Sequence, residues 1–264
     1  DLEIKGEVID LNQAREFTSF IIRKSFIFPE IRGKGKADLR VFGDLDSPQV
    51  QAKFSFSPGG FAKFDANSVE GEVEIIKNDF FGRFDVNDPL MKGKIGLISN
   101  LEGIDVDLRL SQGFAERILP PLGIVFPLQG EASGNFEIKQ KKGDVQVKGS
   151  FSSPLLRLSD QILADASGKL EWQGGVLNLS ELQFNWHQGK IRGSTLVRPL
   201  SQKFDIDLQA EAVNLSSLYE GVKGTLGFSL KGKDVSGQER ATGPFEIKDL
   251  LYPPFQKTEA SGEA

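Results

Sequence analysis

Side chains able to do chemistry are few in this sequence, and those present are spaced like strand residues. The single histidine, His187, ends the stretch Leu182-Gln183-Phe184-Asn185-Trp186-His187. Imidazole catalysis or metal binding needs partners, and neither a second histidine nor any cysteine supplies them. Parity with Gln183 and Asn185 places His187 on a solvated strand face. Asp105/Asp107 and Asp205/Asp207 are spaced i, i+2, so each pair projects from one strand face at about 7 Å separation. Such pairs could bind a cation or divide acid and base roles. Both alternate with apolar neighbours, and a polar strand face accounts for them without chemistry. Glu70, Glu72 and Glu74 extend the same rule into an acidic ladder that keeps a sheet soluble. Gly221-x-x-Gly224-x-x-Gly227 has the glycine density of a phosphate loop but lacks the Lys-Ser/Thr ending and the following helix. Lys139, Lys141 and Lys142 make a small basic turn, read as a solvated hairpin rather than a headgroup or nucleic-acid patch.

Composition narrows the function classes further. The 264 residues carry 32 Lys and Arg against 37 Asp and Glu, a net charge of −5. A pI of 5.2 argues against a nucleic-acid surface. Without cysteine there is no disulfide framework, thiolate nucleophile, iron–sulfur cluster or Cys-ligated zinc. No catalytic residue, metal or cofactor is expected, and an enzyme is the least supported class. The alternation Leu2 to Val8 begins directly after Asp1, which reads as a piece cut or processed from a longer chain. The longest apolar run, Ile118 to Leu128, has three prolines and is too short to span a bilayer as a helix. It is expected to pack under the sheet as a crossover, and any membrane anchor to lie outside this sequence.

The elements that must position these residues are strands, because the dominant period is two. Val50, Ala52, Phe54 and Phe56 alternate with Gln51, Lys53, Ser55 and Ser57. Val69, Gly71, Val73 and Ile75 alternate with glutamates, and Ile104, Val106, Leu108 and Leu110 with Asp105, Asp107 and Arg109. Phe136 and Ile138, Val145 and Val147, then Leu182, Phe184 and Trp186 continue the pattern. Phe204, Ile206, Leu208, Ala210 and Ala212 alternate with Asp205, Asp207, Gln209, Glu211 and Val213, and Leu226, Phe228 and Leu230 follow. Successive strand side chains point to opposite faces, so each segment is half-buried with one wet face. Turns are expected at Gly59-Gly60, Asn78-Asp79, Asn87-Asp88, Lys142-Gly143-Asp144 and Gly174-Gly175. Helices are expected only at Asn12 to Lys24, Ser111 to Leu119 and Asn214 to Glu220. The end, Gln256 to Ala264, reads as a fraying tail or one more strand. Phe occurs 21 times and Tyr twice, which points to a dry apolar lining. A sealed sandwich core would use Phe equally well.

An internal repeat organises the chain. Each helical interruption follows an alternating strand and precedes a glycine-led strand, beginning near Gly33, Gly130 and Gly221. Gly43-Asp44-Leu45-Asp46-Ser47-Pro48-Gln49-Val50 also matches Gly149-Ser150-Phe151-Ser152-Ser153-Pro154-Leu155-Leu156. The repeat is degenerate, and residues 1–264 read as one continuous stack of supersecondary units.

Glycine-led strands, the Gly-x-x-x-Ser-Pro step at Gly43 to Ser57, and the stretch Phe204 to Leu218 running into another glycine-led strand resemble the AsmA-like superfamily, in particular its TamB branch. The resemblance implies an all-β fold, a long antiparallel sheet of repeated hairpins curled lengthwise into a U-shaped groove with a few short helices. It implies a chain anchored in the inner membrane whose body lies in the periplasm of a diderm bacterium. The expected function is bridge-like phospholipid transport, with acyl chains solvated by the lining named above: Val50, Ala52, Phe54, Phe56, Val73, Ile75, Ile104, Val106, Leu108, Phe136, Ile138, Val145, Val147, Phe184, Trp186, Phe204, Ile206, Leu208, Leu226, Phe228 and Leu230. Phospholipid is the expected partner, with an outer-membrane barrel protein at the distal end of the full chain and no nucleic acid. The alternatives are a scaffold that templates outer-membrane strands by β-augmentation, or a sealed structural repeat such as an adhesin segment.

Overall fold

The computed structural model describes residues 2–10, 31–44, 47–61, 64–77, 79–120, 127–201, 203–235, 241–252 and 255–263. The chain is all-β, one long antiparallel sheet that is not closed into a barrel. Its residues fall into two compact units, Asp1–Phe126 with Ser133–Val145, and Pro127–Ala132 with Gln146–Ala264. The helix expected at Asn12 to Lys24 lies outside the described residues, as do residues 121–126 of the apolar run.

In the first unit the strands are β1 (Leu2–Asp10), β2 (Ile31–Asp44), β3 (Ser47–Phe61), β4 (Phe64–Ala66), β5 (Ser68–Ile76), β6 (Asp79–Asp88), β7 (Met91–Ser99) and β8 (Ile104–Phe114). They pair in chain order, with β3 hydrogen-bonded to both β4 and β5. Register aligns the apolar parity of six strands into rows. One row is Ala37–Phe54–Gly71–Phe84–Ile95–Leu108, and its neighbour is Leu39–Ala52–Val73–Gly82–Leu97–Val106. The opposite parity makes wet rows, such as Asp38–Lys53–Glu72–Arg83–Gly96–Asp107. Period two in the sequence has thus become one apolar and one charged face.

Three local expectations change here. Gly59 and Gly60 lie inside β3 rather than in a turn, both buried, because β4 folds back beside them at Gly59↔Ala66 and Gly60↔Asp65. A Cβ at Gly59 would sit 3.0 Å from the Val69 side chain, so the glycine permits close approach. Asn87 and Asp88 end β6, and the turn is Pro89-Leu90, where the Leu90 N–H donates to the Asp88 carboxylate at 2.8 Å. Only Ala115–Ile118 is α-helical in the segment Ser111 to Leu119. The pairs Lys92↔Gln112 and Met91↔Gly113 hold the preceding residues in the ladder.

In the second unit β9 (Leu128–Gln129) pairs with the end of β11 (Asp144–Leu158), while β10 (Glu131–Lys141), which falls mostly in the first unit, lies beside β8. From β11 the strands run in order: β12 (Gln161–Gln173), β13 (Val176–Trp186), β14 (Gly189–Arg198), β15 (Lys203–Asn214), β16 (Lys223–Val235), β17 (Pro244–Tyr252) and β18 (Phe255–Glu263). The end of the chain is therefore a strand. Each pairs antiparallel with the next. Lys142-Gly143 and Gly174-Gly175 form the expected turns with positive φ at both residues, the geometry that follows strand twist.

Register shifts occur in both units, and in these strands they fall at left-handed residues other than glycine. Asp165, Glu181, Ala212, Asp234 and Asp249 have φ between 50° and 56°, and the register shifts at each. An extra residue on one strand flips the parity beyond it. The alternation expected through Ala212 therefore fails. Ala212 is exposed and Val213 is 0% exposed, because the bulge at Glu211-Ala212 returns Val213 to the apolar face. Side chains tie three of the bulges down. Asp165 accepts from Asn185 at 2.9 Å, Glu181 meets Lys169 at 2.5 Å, and Asp234 meets Arg198 at 3.2 Å.

Candidate functional site

The chemistry-bearing residues do not converge. His187 is not on the wet face of β13. It forms, with Gln188, the two-residue turn between β13 and β14, with φ of 47° and 64°. Its Nδ1 lies 2.9 Å from Ser217 Oγ, which donates onward to the Asn214 carbonyl at 2.7 Å. Ser217 Oγ is thus held between the His187 ring and the Asn214 carbonyl, a contact that ties the turn to the helical turn after β15. Ser217 belongs to the short helical turn Leu215–Ser217, capped by Asn214, whose side chain accepts from the Ser216 N–H. This is the short helix the sequence places after Asn214, with Leu215 buried and Leu218 half-buried.

The aspartate pair of β15 is divided between separate cations. Asp205 takes both arms of the Arg198 guanidinium at 3.1 and 3.0 Å and accepts from the Asp234 N–H at 2.7 Å. Asp207 meets Lys231 at 3.3 Å. The Arg198 hydrogen bonds, then the Asp234 N–H, lower the Asp205 carboxyl to about 2. Both are anchors joining β14, β15 and β16 rather than an acid–base pair. Asp105 and Asp107 are exposed on β8. The Glu70–Glu74 ladder meets Ser55, Arg83 and Gln51 on the flanking strands. Gly221 sits in a turn, Gly224 and Gly227 in β16, and a strand rather than a helix follows. Among the described residues no group of three or more His, Asp or Glu is arranged to hold a metal ion. No helix among them is long and apolar enough to cross a membrane.

What the fold does assemble is apolar. Of the expected lining residues Val50, Phe54, Phe56, Ile75 and Val147 are buried, and the remaining sixteen are half-buried. In the second unit the face has a distinct relief. Ile191, Ala210 and Val213 form a buried floor on β14 and β15, packed against Phe184, Trp186, Leu208, Leu218, Leu226 and Phe228. Register puts Phe184, Ile191, Ala210 and Phe228 in one row, so two rings stand on either side of two smaller side chains. Three strand spacings separate the two Phe backbones, about 14 Å. The result is an apolar face on which half-buried rings flank a buried aliphatic pair.

Polar groups along this face are already engaged. Trp186 Nε1–H donates to Gln161 Oε1 at 2.9 Å, and Thr195 Oγ1 donates to the Asp205 carbonyl at 2.9 Å. The face presents hydrocarbon. Its floor was only partly visible in the sequence. The alternation of Gly189, Ile191 and Gly193 could have revealed Ile191, whereas Val213 is reached only through a bulge that leaves no sequence mark. Compared with protein-family models, with curated proteins and with solved structures, the chain has no match.

Proposed function

We propose that this chain is a segment of a bridge-like lipid-transport protein, in which phospholipid acyl chains are held against the apolar face of the sheet. The observation that carries the reading is the apolar face of the second unit, where Phe184, Trp186 and Phe228 stay half-buried around Ile191, Ala210 and Val213. A core meant only for stability would bury its largest rings first. The five bulges support a curled sheet, since each bends its strand and raises local twist. Holding hydrocarbon by burial, at about 0.8 kcal/mol per CH₂, needs no specific hydrogen bond. Neighbouring positions are then nearly equivalent, and a chain can move between them.

The resemblance to the AsmA-like superfamily and its TamB branch points to the same reading. It places the protein in the periplasm, anchored in the inner membrane outside this segment, with an outer-membrane barrel protein as a distal partner. The U-shaped groove belongs to this proposal. A sealed structural repeat is the second reading, favoured by the buried cluster of the first unit, where Val50, Phe56, Val69, Ile75 and Phe80 are each 2% exposed or less.

Lipid extraction from the purified chain, followed by transfer between vesicles, tests the reading. Phospholipid should copurify and Ile206→Asp should abolish its transfer, while Gln209→Glu on the wet face of the same strand should not. A folded chain without lipid, or equal losses from both substitutions, would sink it.

A further inference from the structure

We propose that the charged face of the first unit binds a small organic cation, an ammonium carried on a hydrocarbon or aromatic body, in a depression built by β6, β7 and β8. The site lies on the face opposite the apolar rows and does not depend on the lipid reading.

An open cavity of about 700 Å³ lies on this face, within the size range of small-molecule sites. Register lays two of its rows side by side across β5 to β8, Glu74–Phe81–Ile98–Asp105 and Glu72–Arg83–Gly96–Asp107. As far as β6 the polar groups are paired, Glu74 with Gln51 at 2.9 Å and Glu72 with Arg83 at 3.2 Å. One row along, β7 supplies Lys94 to Asp85 at 3.5 Å. In the cavity rows β7 supplies Ile98 and Gly96 instead. Asp105 therefore faces an isoleucine and Asp107 a missing side chain. Among the described residues no cation meets either carboxylate.

The gap at Gly96 is open space, since a Cβ there would have only Asp107 within 4 Å, its nearest atom at 3.6 Å. Beside the gap stand Phe81 and Ile98, directly opposite each other and 37% and 46% exposed. Two aspartates at i, i+2 are by themselves an ordinary polar strand face. Next to an exposed apolar pair and an unfilled gap, they are complementary to a positive charge with an apolar body. The ammonium would take the place that Lys94 takes one row away, and its body would cover Phe81 and Ile98, where a ring face adds attraction for a cation.

The other charges of the cavity leave this end anionic. Asp38, Arg40 and Lys53 lie on β2 and β3, and Lys53 is four strand spacings from Asp107, about 19 Å along the sheet. A metal ion would need more ligands, and among the described residues no group of three or more acidic or imidazole side chains is arranged for one. A peptide would find no main-chain partners, because β6 and β7 are hydrogen-bonded to a strand on each side.

The test uses the unaltered chain and three dansyl probes of nearly the same body. Dansylcadaverine ends in an ammonium, its N-acetyl derivative is neutral, and dansylaminohexanoate ends in a carboxylate. Dansylcadaverine should bind saturably with a rise in dansyl emission, and backbone amide NMR shifts should change on β6 to β8. The other two probes should bind about tenfold more weakly or less, since an exposed ion pair is worth a few-fold and two are lost. Asp105→Asn combined with Asp107→Asn should reproduce that loss in a chain that still unfolds cooperatively in urea. Gly96→Lys, which puts an ammonium of the chain's own into the gap, should abolish binding. Equal affinity for the three probes, no saturable binding of dansylcadaverine, or binding unchanged in the double Asn variant would each overturn the proposal. None of these outcomes bears on lipid transfer, which is read on the other face.

Discussion

Asp205 shows how single residues here serve the sheet instead of a reaction. Its carboxyl is lowered to about 2 by Arg198 and the Asp234 N–H. A group whose pKa falls on folding stabilises fully above its unfolded value, about 3.9, and loses that contribution as pH drops through the folded value. Stability should therefore decline between about pH 4 and pH 2 because of this residue. Asp205→Asn should weaken the chain at neutral pH and flatten that decline, read by tryptophan emission during acid titration. Identical acid profiles would exclude the role. Glycines offer a second contrast. A Cβ at Gly71 would lie 2.6 Å from the Arg83 carbonyl and against two rings, so Gly71→Ala should cost about 1–3 kcal/mol. At Gly96 the nearest atom is Asp107 Cβ at 3.6 Å. Gly96→Ala should instead add about 0.5–1 kcal/mol, since glycine weakens a strand interior. Urea midpoints of the two variants should move in opposite directions.

Among the elements, the bulged strands separate what the sequence disclosed from what it withheld. Period two named the apolar face of β3, β5 and β8 correctly, because the register shifts of β3 and β8 fall beyond Phe56 and Leu110, outside the alternating stretches. In β15 the same rule placed Val213 outward, since nothing in Glu211-Ala212 announces an extra residue. A bulge is fixed by the partner strand, here the jump from Ala210↔Phe228 to Val213↔Leu226. His187-Gln188 escaped notice for a related reason, as neither residue is the glycine or asparagine that marks such a turn. Phe184 and Phe228 were legible as apolar-face residues, and their half-burial was not, because exposure depends on which side chains lie beside them across the strands. Ala212 itself is strained at φ 56°. A left-handed L-residue costs about 1–2 kcal/mol, so Ala212→Gly should raise stability by up to about 1 kcal/mol after its own entropy cost. A lower urea midpoint for this variant would contradict the bulge assignment.

At the scale of the whole molecule, the two units should answer differently to an inward charge. Phe54 is 8% exposed and wedged between Phe56 and Phe84. Phe54→Asp should cost at least the roughly 3–5 kcal/mol of a large-to-small core change, much of what a domain has to spend. Ile206 is half-buried, and Ile206→Asp should stay folded at a cost of about 1–3 kcal/mol while losing lipid. Circular dichroism on both variants decides this, and a folded Phe54→Asp protein would contradict the packing assigned to Phe54. The charged face has a consequence of another kind. Along Asp38–Lys53–Glu72–Arg83 the signs alternate from strand to strand, and Glu72 and Arg83 touch at 3.2 Å. Opposite charges that close together cancel beyond a few ångströms, so this face projects almost no long-range field. An anionic membrane or a charged protein would meet it without being steered, and added salt would leave the rate of that encounter nearly unchanged.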